Sequence, residues 1–310
     1  MADAENEQPA AKKRTSVSTP VQYSTDKWIE ENKKFFLPPV CNKMMHNEGQ
    51  MKVFYVGGPN ERKDFHIEEG EELFYMLKGD MVLKVVEQGK HRDIPIKEGQ
   101  LFLLPGRIAH SPQRKADTIG LVIERERSEE EKDGLRYYVE KDGKLTTESL
   151  YEEWFHCEDL GTQLAPIIKK FFASEQYKTG KPIPGTIPEK PPVTLNSEIA
   201  LEDPFHLMTW IAENRTQLDE EGSIPVFGEQ YQFQVTVYGN GKNTGKIDNV
   251  ETFIWQIEGQ STVTVEGKEY TLQENDTLLV RAGQEYKARR PTGSMSLICY
   301  QDPSRKGMAA

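Results

Sequence analysis

Residues 62–79 read RKDFHIEEGEELFYMLKG, and this stretch decides the fold. An aromatic and aliphatic run, Leu73–Leu77, is followed by Gly79, and this order predicts a short β-strand that ends in a turn. Glu72 opens the strand. Similar runs that end in Gly, Asp or Pro recur along the neighbouring sequence, so the stretch is read as one strand of a larger β structure.

The same stretch raises the question of a metal site. His66 precedes a set of acidic residues, Glu68, Glu69, Glu71 and Glu72. Three of them flank Gly70 and are interpreted as solvated residues of a turn, whereas Glu72 lies at the start of the strand. Taken alone, the stretch is compatible with a metal site and with a solvated turn beside a histidine, and a charge run by itself favours the turn.

A first β-rich stretch spans about residues 40–127. Its segments are MKVFYVGG, EELFYMLKG, MVLKVVEQG, QLFLLPG and TIGLVIERE. They are rich in β-branched and aromatic residues and turn about every ten residues, which is typical of a β-sandwich or barrel.

The middle of the chain has a different pattern. Apolar residues recur at three- and four-residue spacing over 147–177, which predicts one or two helices interrupted near Gly161 and Pro166. Residues 181–196 form a Pro-rich extended connector, and 203–218 predict a further helix.

Strand-like segments return over about residues 226–301, including VETFIWQIEGQ, STVTVEGKEYTL and DTLLVRAG. Their order of strands and turns repeats that of the first β-rich stretch, which indicates an internal duplication. Aligning Gly259 with Gly79 puts Thr252 where Glu72 stands, and aligning DTLLVRAGQEY with QLFLLPGRIAH puts Tyr286 in the position of His110.

Composition limits the possible partners and compartment. The 310 residues carry a net charge of −11, which argues against nucleic acid or an anionic membrane as the main partner. No apolar run approaches the roughly 20 residues of a membrane span. The first twenty residues lack the apolar core of a secretory signal. Three scattered cysteines favour a reducing cytosol over a disulfide framework.

Two histidines and one acid form a candidate metal site. Alternation along a strand places His66 on one face with Arg62 and Asp64, and it places His110 on one face with Arg114 if the strand continues through Pro112. Two histidines and a carboxylate form the facial triad that holds non-haem Fe(II). Such a triad leaves positions for a chelating substrate and for O₂.

These residues also carry a family resemblance. Gly58, His66, Glu72 and Gly79, followed by Gly99, Pro105 and His110, have the spacing of the two motifs of the cupin superfamily. Asp64 stands where many cupins have a first histidine, and Arg114 stands where they have an asparagine. With these two departures, NERKDFHIEEGEELFYMLKGDM and LFLLPGRIAHSPQR resemble the 3-hydroxyanthranilate 3,4-dioxygenase family, in its eukaryotic form with two cupins in one chain.

The resemblance implies a mainly β fold with two cupin (double-stranded β-helix, or jelly-roll) barrels joined by a helical, Pro-rich linker. The expected segments are a disordered N-terminal tail (1–21), a catalytic metal-binding cupin (22–145), the linker (146–225) and a degenerate structural cupin (226–310). Two fused cupins can mimic the dimer of one-cupin relatives, so we expect a monomer.

The resemblance also implies an activity. It is the Fe(II)-dependent oxidation of 3-hydroxyanthranilate by O₂ to 2-amino-3-carboxymuconate semialdehyde, a step of tryptophan breakdown through kynurenine towards quinolinate and NAD. The implied roles are metal ligands (His66, Glu72, His110), substrate-binding residues (Arg62, Glu72, Arg114, Glu124, Asn42) and catalytic residues (Arg62, Glu72). Arg114 is expected to grip the substrate carboxylate, and Arg62 is expected to lie on the oxygen side. Asp64 is expected to orient a neighbour.

Two other classes of function remain open from the sequence. A different metal-dependent cupin enzyme, such as a thiol dioxygenase or a sugar isomerase, has the same fold and metal but no need of arginines at both 62 and 114. A cupin binding or storage protein needs no oxygen-reactive metal.

Overall fold

A computed structural model describes residues 18–307 of the chain. Residues 1–17 of the expected disordered tail lie outside the described residues. Residues 18 and 19 of the same predicted tail hydrogen-bond residues near the C-terminal end of the chain. The Ser18 carbonyl accepts from Gln284 Nε2 at 2.8 Å, and the Thr19 carbonyl accepts from Arg281 Nε at 3.0 Å. The described chain is mainly β-strand, as predicted.

The elements of the N-terminal half are as follows. They are β1 (Val21–Ser24), α1 (Thr25–Asn32), a 3-10 helix (Lys33–Phe36), β2 (Asn42–His46), β3 (Met51–Gly57), β4 (Phe65–Ile67), β5 (Glu72–Lys78), β6 (Met81–Glu87), β7 (Lys90–Ile96), β8 (Gln100–Leu104), β9 (His110–Arg114), β10 (Ile119–Arg125), β11 (Asp133–Lys141) and β12 (Lys144–Phe155).

The C-terminal half begins with helices and returns to strands. Its elements are α2 (Leu160–Ala173), α3 (Glu175–Thr179), β13 (Phe205–His206), α4 (Leu207–Glu213), α5 (Arg215–Glu221), β14 (Ser223–Pro225), β15 (Phe233–Tyr238), β16 (Gly241–Gly245), β17 (Thr252–Glu258), β18 (Ser261–Val265), β19 (Lys268–Leu272), β20 (Asp276–Val280), β21 (Tyr286–Arg290), β22 (Met295–Gln301) and a 3-10 helix (Pro303–Arg305). No helix or strand interrupts the Pro-rich connector between α3 and β13.

The strands within residues 18–307 form four sheets. The N-terminal pair of sheets has the orders β13-β8-β5-β10-β3-β2 and β12-β11-β4-β9-β6-β7. The C-terminal pair has the orders β1-β20-β17-β22-β15-β14 and β16-β21-β18-β19. Neighbouring strands in these sheets are antiparallel.

Alternation along β5 shows how the pairs stack. Leu73 packs in a core shared with Phe253 of β17, so it lies between the two pairs of sheets. Phe74 and Met76 instead pack in a second core with strands β6 to β8, inside the N-terminal pair. Because side chains alternate along a strand, Glu72 faces the same interior as Phe74.

The structure corrects the predicted start of the first helix in the middle of the chain. Residues 147–155 were predicted as helix, but they belong to β12, which pairs with β11 along most of its length. Leu150 and Tyr151 are both buried although they are consecutive, because the register of the pairing with β11 shifts between Ser149 and Tyr151. This irregularity breaks the alternation that would identify a strand from the sequence. The helix begins only at Leu160.

The pairing of β11 with β12 bears on the expected domain bounds, because the boundary at 145 falls inside this hairpin. At the start of the chain, β1 pairs with β20 of the C-terminal pair and not with the N-terminal pair. Among the helices described, none combines the length and the apolar character needed to cross a membrane.

Candidate metal centre

Three strands bring the predicted metal ligands together. His66 of β4 lies directly opposite His110 of β9 in the antiparallel ladder, and Glu72 opens β5. One ligand atom from each residue lies within 4.8 Å of the other two, and all three side chains are buried.

Local contacts fix the directions in which the side chains of His66 and His110 point. The neighbours of His66 on its strand, Phe65 and Ile67, pack in a separate core, so alternation turns His66 the other way. His110 Nδ1 lies 2.9 Å from the Ile108 carbonyl, to which it must donate. That bond leaves Nε2 of His110 as the nitrogen that faces Glu72, at 2.7 Å from Oε1.

The donor set fits a divalent transition metal. Glu72 Oε1 is close to His110 Nε2 but has no partner in hydrogen-bond geometry among the described residues. Burial acts to raise the pKa of Glu72, but the charge and hydrogen bond of His110, together with contributions from Glu68 and His66, outweigh it and hold that pKa well below its ordinary value. A buried carboxylate with an unsatisfied oxygen beside two imidazoles is the arrangement that two-histidine, one-carboxylate metal sites require.

A cavity of about 140 Å³ opens from these three residues. It is lined by the predicted site residues Asn42, Arg62, His66, Glu72, His110, Arg114 and Glu124, and by the apolar side chains of Phe54, Val56, Phe74, Pro112, Val122, Leu160 and Leu164. A dry cavity of about 150 Å³ holds one benzene ring, so this space suits a single-ring compound. A larger cavity of about 580 Å³ adjoins it and shares Phe54, Glu124 and Leu160.

Arg114 lies deep in this cavity without a counter-ion. Its side chain is buried, its Nε has no hydrogen-bond partner, and no salt bridge joins it to an acid within residues 18–307. Burial lowers the pKa of Arg114 to about 10, which leaves the guanidinium charged at neutral pH. A buried cation without an anion is costly, so the cavity is suited to an anionic ligand.

The other predicted residues line the cavity with partners of their own. Arg62 pairs with Asp64, and its Nε donates to Asp64 Oδ2 at 3.0 Å. Asn42 donates from Nδ2 to the Val40 carbonyl at 3.0 Å. Glu124 pairs with Arg127 at 3.1 Å, and burial raises the pKa of this carboxyl.

Two of the presumed turn glutamates are not solvated. Glu68 and Glu71 are each only 2 % exposed, so their interpretation as solvated turn residues was wrong. Glu68 faces a buried arginine, with its Oε2 at 2.8 Å from Arg127 Nη2. Glu71 accepts from the Phe233 amide at 2.8 Å, across the contact between the two pairs of sheets.

Sequence reasoning did not single out four residues near the site. Arg127 and Asp133 are charged residues of the run ERERSEEEKD and gave no sign of burial, and Leu160 and Leu164 are spaced as the core face of a helix. The last two supply an apolar wall of the cavity from α2. The only signal in the sequence was that pair of leucines four residues apart.

The chain is similar to known proteins along most of its length. A family model described as 3-hydroxyanthranilic acid dioxygenase matches residues 17–172. Curated 3-hydroxyanthranilate 3,4-dioxygenases from Homo sapiens and Danio rerio are 52 % and 50 % identical to this chain, covering 90 % and 91 % of it and 96 % of each relative. The relative from Nematostella vectensis is 49 % identical over 87 % of this chain and 95 % of its own.

Among solved structures, a salicylate 1,2-dioxygenase from Pseudaminobacter salicylatoxidans matches with a TM-score of 0.59 at 11 % identity, over 95 % of this chain and 87 % of the other. A point mutant of that enzyme matches with a TM-score of 0.57 at 13 % identity, over the same shares. At such low identity the likeness establishes the fold alone.

Proposed function

The chain belongs to the 3-hydroxyanthranilic acid dioxygenase family and is a dioxygenase, and from this premise we propose its substrate, metal and reaction. The substrate is 3-hydroxyanthranilate, and the product is 2-amino-3-carboxymuconate semialdehyde. The ring bond between the hydroxyl-bearing carbon and its unsubstituted neighbour breaks. Both atoms of O₂ enter the product, one on each carbon of that bond. The reaction belongs to tryptophan breakdown through kynurenine, towards quinolinate and NAD.

We propose Fe(II) as the metal, held by His66, Glu72 and His110. When bound, the ion supplies a chelation site for the adjacent amino and phenolic groups of the substrate and a site that activates O₂ beside the ring. The rest of the chemistry is positioning and charge, which the cavity side chains supply.

The observation that carries the proposal is the buried guanidinium of Arg114, which has no salt bridge within residues 18–307 and lies in a ring-sized cavity next to the three proposed ligands. A planar carboxylate is the natural partner of a guanidinium fork. Because the substrate carries its carboxylate beside the amino group, a fork at Arg114 directs the chelating amino and hydroxyl groups towards the metal.

The remaining side chains have distinct proposed roles. Glu124 hydrogen-bonds the substrate near its carboxylate end and helps to orient it. Arg62 presents a fixed positive charge that stabilises negative charge developing on oxygen during the reaction. Asn42 adds a polar contact at the rim, and the walls formed by Phe54, Val122 and Leu164 exclude water from the ring.

The chain organisation is also a proposal. We interpret the two pairs of sheets as two cupin barrels joined by the helical, Pro-rich segment. The expected bounds are 22–145, 146–225 and 226–310, and the proposed first barrel extends past 145 to the end of β12 at Phe155. Leu73 and Phe253 share one core between the barrels, so the second barrel covers a face that one barrel alone exposes. We therefore propose a monomer, and the free thiols of Cys41, Cys157 and Cys299 suit the cytosol.

The test is turnover by the purified chain. The protein is loaded with Fe(II) without oxygen and mixed with 3-hydroxyanthranilate and O₂, and oxygen uptake is followed together with product absorbance. We expect one O₂ consumed per substrate. Anthranilate, which lacks the hydroxyl group, is the matched control and should consume none.

The rival functions give other results in the same assay. A different metal-dependent cupin enzyme binds iron but leaves 3-hydroxyanthranilate unchanged, and a binding protein holds the compound without oxygen uptake. Either result from iron-loaded, folded protein contradicts the proposal.

A further inference from the structure

The imidazole ring of His66 forms a hydrogen bond with a buried carboxylate. Its Nε2 lies 2.7 Å from Asp133 Oδ2, and both side chains are buried, with Asp133 entirely inaccessible to solvent. Asp133 is the first residue of β11, and this strand pairs with β4 so that Leu135 lies opposite His66. With Nε2 engaged by Asp133, Nδ1 is the ring nitrogen left to bind an ion.

Asp133 is itself fixed by Arg127. Nε of Arg127 donates to Oδ1 of Asp133 at 3.0 Å, and Nη2 donates to Oδ2 at 2.9 Å, so the guanidinium grips both carboxylate oxygens. This two-point geometry is rigid because the donor fork is planar. The position of the carboxylate, and through it the orientation of the His66 ring, depends on one arginine.

The same arginine reaches the substrate side of the cavity. Arg127 Nη1 lies 3.1 Å from Glu124 Oε1, and Nη2 lies 2.8 Å from Glu68 Oε2. Glu124 lines the cavity beside the candidate ligands. Arg127 therefore contacts one carboxylate that hydrogen-bonds a candidate ligand histidine and another that lines the cavity.

We propose that Asp133 and Arg127 are positioning residues: Asp133 fixes the ring of His66 for metal binding, and Arg127 holds Asp133 and Glu124 in register, so that metal site and substrate site are set by one buried ion cluster. The part of the inference that concerns Glu124 and the substrate, called the substrate arm, rests on the proposed function. The part that concerns Asp133 and His66, called the metal arm, needs only the affinity of the metal-free protein for a divalent ion.

Physical chemistry gives this contact two effects. A carboxylate that accepts from a ligand imidazole selects its tautomer, restricts its rotation and makes the other nitrogen a stronger donor. Loss of such a partner typically lowers metal affinity by about 10- to 100-fold. Asp133→Asn keeps the size of the side chain but removes the charge and the grip of Arg127.

The chain offers a matched control two residues away. Glu131 is a buried carboxylate held by Arg125 through two contacts of 2.6 Å, an arrangement like that of Asp133, but its side chain has no contact with His66. Glu131→Gln breaks an equivalent buried ion pair. It reports the loss of stability that any such change brings.

The metal arm is tested with Co(II) alone, by titrating metal-free wild type, Asp133→Asn and Glu131→Gln and recording the visible absorption of the bound ion. We expect Asp133→Asn to bind about 10- to 100-fold more weakly with altered bands, and Glu131→Gln to match wild type. Equal affinities and spectra in wild type and Asp133→Asn overturn the proposal, and so does an equal loss in both variants.

If Asp133→Asn does not fold, a gentler pair decides the question. Asp133→Glu and Glu131→Asp each move a carboxylate by one methylene group. Only Asp133→Glu should change the Co(II) spectrum, and an unchanged spectrum counts against the proposal.

The substrate arm uses Arg127→Lys with Fe(II) and 3-hydroxyanthranilate. This change should weaken Co(II) binding and also raise KM, because Lys cannot hold both Glu124 and Asp133. A weakened Co(II) affinity with unchanged KM removes Arg127 from the substrate side. If wild type binds Co(II) but turns over no substrate, the proposed function fails, and the Co(II) comparison of Asp133 with Glu131 still decides the metal arm.

Discussion

The N-terminal and C-terminal pairs of sheets have corresponding strand orders. The order β8-β5-β10-β3-β2 of one matches β20-β17-β22-β15-β14 of the other, and β4-β9-β6-β7 matches β16-β21-β18-β19. The turn glycines correspond as well, since Gly79 and Gly259 follow β5 and β17 with φ of 67° and 64°. A left-handed residue at this turn favours glycine in both halves.

The difference lies in the side chains that face inward. Where β5 opens with Glu72, β17 opens with Thr252, and where β9 opens with His110, β21 opens with Tyr286. The residue opposite Tyr286 is Gly245, in the place that His66 takes opposite His110.

Buried side chains form a packed core inside the C-terminal pair. Tyr286 packs there among aliphatic side chains, and Arg290 lies with its guanidinium 5.1 Å from the ring of Tyr238. Arg290 donates to the Gly239 carbonyl and to Asn243 Oδ1, each at 2.7 Å. Its counterpart Arg114 has no such partners within residues 18–307. The same strands thus make a packed core or a polar cavity, depending on a few inward positions.

The largest expected effect comes from breaking the metal triad. His110→Ala should lose bound iron and at least about 100-fold of turnover, because loss of an outer partner of a ligand already costs that much in some sites. Metal content by elemental analysis and initial rates check it.

Tyr286→Phe is the control at the corresponding position of the other half. It removes only the hydroxyl of a residue buried in a packed core, and iron content and rate should be unchanged. Loss of iron in this variant instead would contradict the assignment of the metal to the N-terminal pair.

The next effect comes from comparing the two buried arginines. Arg114→Met should keep its iron and raise KM for 3-hydroxyanthranilate about 10- to 100-fold, since a hydrogen bond to a charged group contributes about 1.5–3 kcal/mol. Stability should be unchanged or improved, because the change removes an uncompensated buried cation. Steady-state kinetics and thermal unfolding measure the two quantities.

Arg290→Met should do the reverse. It leaves the acceptors Gly239 O and Asn243 Oδ1 without their donor, so unfolding should occur at a lower temperature while KM stays at the wild-type value. If Arg114→Met instead abolished iron binding, the separation of metal ligands from substrate residues would be wrong.

Most of the strands and the three candidate metal ligands can be predicted from the sequence, because the signals for them lie in neighbouring residues. Turn glycines and apolar alternation predicted the strands, and the motif spacing of His66, Glu72 and His110 predicted three residues whose ligand atoms lie within 4.8 Å of one another. β9 does continue through Pro112, which was the condition for His110 and Arg114 to lie on one face. These features depend on strand period and turn geometry, which neighbouring residues encode.

The parts that could not be predicted depend on contacts between distant segments. Glu68 reads as a solvated turn residue, and Arg127 and Asp133 read as members of a charge run, because nothing local shows that they bury one another. The same holds for residues 147–155, whose apolar spacing suits a helix until β11 is available as a partner.

At the contact between the halves, each half contributes one glutamate that accepts a hydrogen bond from a backbone amide of the other half. Glu71 accepts from the first amide of β15, at Phe233, and its counterpart Glu251 accepts from the first amide of β3, at Met51, each at 2.8 Å. Glu251 also pairs with Arg281 at 2.7 Å. Glu71 has no salt bridge within the described residues, and burial raises its pKa to about 7.

The smallest effect on turnover is expected from Glu71→Gln, because Glu71 lies at the contact between the halves and does not line the cavity. Its substitution should change the free energy of unfolding, and the size of that change should depend on pH. Its folded pKa of about 7 lies above the ordinary 4.5, so the folded state binds the proton more tightly. This stabilisation is fully present below about pH 4.5 and is lost as the pH rises through 7, by about 3 kcal/mol. Glu71→Gln keeps an acceptor for the Phe233 amide without the charge, so it should unfold at a higher temperature than wild type at pH 8 and show little difference at pH 5.

Glu251→Gln is the matched control. It leaves Arg281 buried without its anion, so it should destabilise the fold at pH 5 and at pH 8 alike. Thermal unfolding of wild type and both variants at the two pH values separates the cases. A gain for Glu71→Gln that is equal at pH 5 and pH 8 would mean that the Glu71 carboxyl does not titrate between them, and the asymmetry between the two glutamates would then lie in packing and not in charge.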